Sequence, residues 1–232
     1  DYRKAFPVHI LQGGGGTSSN MNANEVITNL ANSLASEAGQ PDLQIDSIDH
    51  VNLNQSTNDV YPSASNMAIS IVTKQLIDSV DALANAYHDL REKFGEAPRL
   101  ARTCLQDAVG TTFDELFGAY ELGLSRNVRH LEHASSELRE LSLGGGIVGQ
   151  IDATPAEYRA ALLPHLRSVF DDTSIRLNPN KADAAQNADG ILRFASELEI
   201  LAHNLIKQAR DLRFLSSGPE GGIGEVFLVI LI

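Results

Sequence analysis

The chain has 232 residues, 43% hydrophobic and 21% charged, enough apolar material for one large domain or two small ones. Its net charge of −12 argues against nucleic acid and anionic membranes as partners, and no apolar run approaches the roughly 18 residues of a membrane span. The opening "DYRKAFPVHI" carries no long apolar signal core, and the lone Cys104 excludes an intrachain disulfide and fits a reducing cytosol.

Residues 1–60 are rich in Gly, Asn and Ser, with a turn signal at Gly39-Gln40-Pro41-Asp42. Past Pro62 the steps from Met67 through Ile71, Leu76, Val80, Leu83 and Tyr87 to Leu90 trace one helix face, stopped by "KFGEAP". A second stripe runs Phe113, Leu116, Tyr120, Leu124, Val128, Leu131, Leu138, Leu141, interrupted by the small Ala134 and Ser135. "LGGGIVGQ" (143–150) ends that helix as a glycine-rich loop. A shorter helix is expected from Pro155 to about Phe170, and a last long one carries Ile191, Leu198, Leu201, Leu205, Ala209 and Leu212. Three helices of about 25 to 30 residues would each be ~40 Å long and, with stripes near the 3.5 spacing, would pack as a bundle. Strand signals are almost absent apart from the apolar "VFLVILI" at 226–232.

Three polar segments are the candidates for chemistry. "GGGGTSSNMNANEV" (13–26), "DHVNLNQSTNDVYPS" (49–63) and "ARTCLQDAVGTTF" (101–113) each place Asn, Gln, Ser or Thr before a predicted helix. Hydroxyls there can cap the first helical turn. Together with glycine and free amides they can also bind a carboxylate or phosphate. The first segment lacks the lysine of a P-loop. Capping and ligand binding both remain open from the residue types alone.

Together these segments resemble the aspartase/fumarase superfamily. "GTSSNMNANEV" (16–26) is similar to its GTSxNMNxNEV segment, "DHVNLNQSTNDVYPS" to HVNxSQS[ST]ND, "RTCLQDAV" (102–109) to GRT[HQ]LQDA, and "LRFLSSGPEGGIGEV" (212–226) to LSSGPRxGLxEI. The resemblance implies a mostly α protein whose central bundle of long helices assembles as a homotetramer, with active sites shared between subunits. It divides the chain at residue 60 into the end of an N-terminal domain (1–60) and an incomplete central bundle domain (61–232), without the N-terminal part, catalytic loop and C-terminal domain. The implied chemistry is reversible anti elimination from a succinyl-type diacid to fumarate; no cofactor is expected, and no metal site, since His9, His50, His88, His130, His133, His165 and His203 show no metal-ligand spacing. By the same resemblance Thr17 and Ser18 bind one substrate carboxylate. Ser56, Thr57 and Asn58 bind the other carboxylate region and, in aspartases, the surroundings of the amino group. Thr103, with Cys104 beside it, supplies a further donor. Gln55 and Asp59 are expected to shape their loop rather than touch substrate.

Departures matter as much. Cys104 stands where the family has His or Gln, and is open to a second reading as a small buried hydrophobe. Asp46 replaces a His, and Glu220 replaces an Arg. Nothing matches the GSSxMPxKxN loop that supplies the catalytic serine and a lysine, so the catalytic residue is unknown here. The donor segments are neutral, with Arg102 the nearest cation in sequence, although a desolvated diacid wants a positive partner. "QSTNDVYP" and "LQDAV" look more like aspartases than fumarases, so the expectation is an aspartate ammonia-lyase in the cytoplasm. The alternatives are a fumarate hydratase or a non-catalytic helical relative.

Overall fold

The computed structural model describes residues 2–150, 152 and 154–228. Among these residues six α-helices dominate: α1 (Thr17–Glu37), α2 (Thr57–Phe94), α3 (Phe113–Glu137), α4 (Ala156–Phe170), α5 (Lys181–Gln186) and α6 (Asp189–Leu215). An antiparallel hairpin, β1 (Pro98–Thr103) and β2 (Gln106–Thr112), joins α2 to α3, and β3 (Glu140–Leu141) pairs in parallel with β4 (Arg176–Leu177). No helix among the described residues is long and apolar enough to cross a membrane. Contacts group the chain into two units, residues 1–70 with 137–189 and residues 71–136 with 190–232, so the division falls inside α2. The boundary expected at residue 60 concerns the family's domains and stays an expectation.

The second unit is built on the later turns of α2 with α3 and α6. Tyr87 of α2 lies against Phe117 (ring centroids 6.0 Å apart) and edge-on to Tyr120 (5.2 Å) of α3. One turn further along α2, Arg91 reaches back to Asp114 (3.0 Å) and Glu121 (2.8 Å). Tyr120 donates to Asp211 of α6 (2.7 Å), and Asn204 donates to Asn127 (2.7 Å). These pairs run in opposite directions along each partner, so α3 is antiparallel to both neighbours. On α6 the buried positions Phe194, Leu201, Gln208 and Leu215 recur every seven residues, the coiled-coil spacing expected of a bundle helix.

In the first unit, Met67 of α2, Leu141 and Ile175 form a core against which Leu143, Leu163, Leu166 and Leu177 pack. α1 is arranged unlike an ordinary amphipathic helix. It buries Asn20, Asn22 and Asn24 while Ile27, Leu30 and Leu34 are exposed. The asparagines act as hydrogen-bonding staples. Asn22 donates to the Ala5 carbonyl (3.0 Å) and Asn24 to the Asn52 side chain (3.0 Å). Asn32 exchanges two hydrogen bonds with the Ile45 backbone (3.0 and 2.7 Å).

Four expectations need correction. α2 starts at Thr57, well before the apolar stripe, because Pro62 removes only one early helix bond, the one to the Asn58 carbonyl. Its buried seam is half polar, with Asp59, Ser63, Ser70 and Thr73 inside and Ile71 55% exposed. α3 ends at Glu137, not at the 143–150 loop. Leu138 and Leu141 are buried, but Leu141 belongs to β3, where its carbonyl accepts from Asn178 (2.9 Å). Finally, the polar segment 101–113 is a strand–turn–strand leading into α3 rather than a simple helix cap. Its turn uses Cys104 (φ 49°) and Leu105 (φ 62°), neither of which is the Asn-Gly type of residue that marks such turns in sequence. Of the apolar tail, 226–228 is irregular and 229–232 lies outside the described residues.

Candidate functional site

The start of α1 differs from the capping expected of it. Gly16 is the N-cap residue, and no side chain caps the turn. Only glycine fits there: its φ is 90°, and an added β-carbon would stand 2.4 Å from the Tyr61 ring. This close approach seats the first turn of α1 beside the first turns of α2. A hydrogen bond from the Asn20 amide to Thr57 Oγ1 (3.2 Å) joins them again. Thr17 is exposed and Ser18 half-buried at the uncapped turn.

The start of α2 is a reciprocal capping box. Ser56 Oγ accepts from the Asn58 amide (3.2 Å), and Asp59 Oδ1 accepts from the Ser56 amide (2.9 Å). Two consequences bear on ligand binding. Ser56 Oγ and Thr57 Oγ1 each already accept a hydrogen bond from the protein, so their hydroxyl protons are left to donate. Asn58 spends an Nδ2 proton on the Ile147 carbonyl (2.8 Å), which fixes the amide orientation by chemistry and leaves Oδ1 as an acceptor. Gln55 turns inward to the Val51 carbonyl (3.1 Å), in keeping with a loop-shaping role.

The structure therefore brings Thr17, Ser18, Ser56, Thr57 and Asn58 into the first unit at two adjoining helix starts. Thr103 and Cys104 belong to the second unit, on the hairpin. Cys104 is exposed, so the buried-hydrophobe reading does not hold. Arg102 does not offer a free charge. Its Nη1 donates to Glu225 (2.6 Å) and its plane lies over the Phe214 ring, 5.9 Å from the centroid. Asp46, standing where the family has His, is an N-cap: it accepts from the Ile48 (2.7 Å) and Asp49 (2.8 Å) amides. Those amides, Asp49's first, hold its carboxyl below the usual range. Nothing in the structure explains the exposed Glu220.

Sequence reasoning missed the wall behind Asn58. Gly144, Gly145 and Gly146 of the 144–149 loop are buried against the start of α2, Thr154, whose hydroxyl donates to the Gly144 carbonyl (3.3 Å), and Lys181 at the start of α5, while Ile147 and Val148 are exposed. Lys181 is only 8% exposed. Burial pulls its ammonium below the usual lysine range, partly offset by Asp59 and Glu140. Tyr158 of α4 is pushed up to about 12, first by burial and then by Asp59. No periodicity pointed to Lys181, because "NPNKAD" reads as an ordinary helix start.

With this geometry in place, comparison with known proteins is informative. A family model described as Lyase matches residues 1–230. An aspartate ammonia-lyase of Helicobacter pylori is 36% identical over 228 residues, covering 98% of this chain and 48% of the relative. A class II fumarate hydratase of Ralstonia nicotianae is 37% identical over 223 residues, covering 95% and 48%. Among solved structures, a fumarate lyase:delta crystallin from Brucella melitensis bound to cobalt superposes with a TM-score of 0.89 at 34% identity, over 97% of this chain and 49% of that one. The class II fumarase of Schistosoma mansoni gives 0.89 at 28% identity, over 95% and 49%. The chain spans about half the length of the relatives it matches. On sequence and on fold alike, it belongs to the lyase family that includes the aspartases and class II fumarases.

Proposed function

We propose that the protein is an aspartate ammonia-lyase, removing ammonia from L-aspartate by anti elimination to give fumarate. The observation that carries this reading is the polarity of the α2 start. Two hydroxyls with protons free to donate, on Ser56 and Thr57, suit a carboxylate. Beside them Asn58 presents a carbonyl oxygen, because one Nδ2 proton is held by the Ile147 carbonyl and the amide orientation is fixed with Oδ1 unspent. An acceptor next to carboxylate donors suits an amino group on the neighbouring carbon of the same diacid. Thr17 and Ser18, at the adjoining helix start, would take the substrate's carboxylate, and Thr103 and Cys104 would come from a different copy in a homotetramer. The elimination also requires a base and a cation to stabilise the developing aci-carboxylate, which the assembled enzyme must supply.

Absorbance at 240 nm tests the reading on the full encoded polypeptide. Fumarate should accumulate with L-aspartate and not with L-malate. A rise with malate alone would make the protein a fumarate hydratase, and a flat trace with both would make it a non-catalytic relative.

Thr57→Val tests the donor role. It should lower kcat/KM for aspartate by about tenfold to a hundredfold, the value of a hydrogen bond to a charged group. The melting temperature should move little, because Asn20 keeps a second acceptor in the Asn52 side chain (3.4 Å). A fall of many degrees with unaltered kinetics would mark Thr57 as a staple only.

A further inference from the structure

Asp59 is 2% exposed, yet it does more than close the capping box. Its Oδ1 accepts from Ser56, while Oδ2 accepts from the amides of both Gly144 (3.1 Å) and Gly146 (3.0 Å). Its own carbonyl accepts from the Ser142 hydroxyl (3.1 Å), which also lies 3.1 Å from the Ser63 hydroxyl one turn along α2. Successive amides converging on one point form an anion-binding nest. Here the nest is filled by the protein's own carboxylate, so the glycine loop is not a place for substrate. It is a part held in position. The residue it positions is the neighbour of Asp59: the Ile147 carbonyl, one residue past the second latched amide, takes the Asn58 Nδ2 proton.

A carboxylate this deeply buried needs a balancing charge as well as hydrogen bonds. Behind the loop stands Lys181. A β-carbon on Gly145 would come 3.1 Å from Lys181 Cβ, and Lys181 Nζ has no hydrogen-bond partner among the described residues. The other titratable groups near this cluster are Glu140, Tyr158 and Arg159, whose Cγ would lie 3.7 Å from a β-carbon on Gly144 and whose guanidinium donates to the Thr154 carbonyl.

We infer that Asp59 is a positioning residue for the proposed elimination: by latching Gly144 and Gly146 it fixes which atom of the Asn58 amide meets the substrate, with Lys181 as the buried counter-charge behind the loop. This rests on the ammonia-lyase reading for its chemical consequence but not for its structural one. Asp59→Asn keeps one carbonyl oxygen but turns an N–H₂ toward amide protons, so part of the latch is lost. Release of the loop frees the Asn58 amide to rotate, and the acceptor is no longer preset.

The test uses the full encoded polypeptide, hydrogen exchange over residues 142–150, and steady-state kinetics. In Asp59→Asn, exchange of the Gly144 and Gly146 amides should rise at least tenfold while that of α3 is unchanged. KM for aspartate should rise about tenfold, with kcat changing less than threefold. Asn58→Ala should reproduce the KM change with the loop still protected, which a purely structural role of Asp59 does not predict. Lys181→Met, which leaves every hydrogen bond of Asp59 in place, should speed loop exchange at least threefold in the wild-type background and have a smaller effect in Asp59→Asn; this variant also serves should Asp59→Asn not fold. Unchanged loop exchange in Asp59→Asn, or equal effects of Lys181→Met in both backgrounds, overturns the inference. Absence of fumarate from the wild-type protein overturns the ammonia-lyase reading instead, and loop exchange then still decides whether Asp59 and Lys181 hold the loop.

Discussion

Gly149→Ala is expected to destabilise the protein by about 3 kcal/mol or more. Two terms add. The φ of 81° at Gly149 lies in the left-handed region, where a β-carbon costs about 1–2 kcal/mol. The new atom would also stand 2.3 Å from the Lys181 carbonyl oxygen and 2.4 Å from the Ala182 amide nitrogen and Cα. Backbone atoms in a helix start cannot swing aside as a flexible side chain would, so the loop or α5 must shift, and overpacking of this kind costs roughly 1–3 kcal/mol. A melting temperature lower by about 6 to 12 °C is expected for a chain of this size. Gly15→Ala is the control: its β-carbon meets nothing within 4 Å and its φ is not in the left-handed region, so its melting temperature should match the wild type. A Gly149→Ala protein as stable as that control would mean that the 144–149 loop is not seated against α5.

Leu131→Ala should cost about 2–5 kcal/mol, the range for emptying a leucine site in a closed core. Leu131 is fully buried in the second unit, about three-quarters of the way along α3. The contrasting variant is Leu122→Ala on the same helix. Leu122 is 64% exposed, and its truncation should stay within about 0.5 kcal/mol. Denaturant titrations of both variants check the pair. Similar midpoints would show that the second unit does not close around α3. Because Leu131 has no part in the proposed site, an enzyme that survives the substitution should keep its kcat/KM below the melting transition, whereas Thr57→Val should do the reverse.

Much of this fold was legible in the residues. The stripe on α3 from Phe113 to Leu131 is where the periodicity placed it, because burial on one helix face is the signal that periodicity measures, and α4 runs over the span expected of it after Pro155. What was not legible shares one cause: polar groups buried by pairing with each other. The inner seam of α2 passes through Ser63, Ser70 and Thr73, which a hydrophobic count skips. Asn20, Asn22, Asn24 and Asn32 of α1 read as loop or ligand residues and turn out to be staples, each held by a partner 13 to 37 positions away that no local pattern announces. The hairpin was hidden for a different reason, since Cys104 and Leu105 occupy a turn that normally advertises itself with glycine or asparagine. At the candidate site, residue types were informative and orientation was not. Sequence could show Asn58 as a polar group of a candidate site, but only the Ile147 contact shows which end of its amide is spent.

The inverted arrangement of α1 has a consequence for the way the molecule breathes. Most helices are glued to their neighbours by a water-repelling face, and that glue tightens as a protein warms from the cold. α1 turns that face outward within the chain and is moored by amide-to-amide contacts of Asn20, Asn24 and Asn32, which exchange readily for water. Its attachment is accordingly one that solvent can replace bond for bond, and Thr17 and Ser18 ride on its leading edge. The two hydroxyl residues proposed to take a substrate carboxylate thus ride on an attachment made of exchangeable hydrogen bonds rather than of buried hydrocarbon.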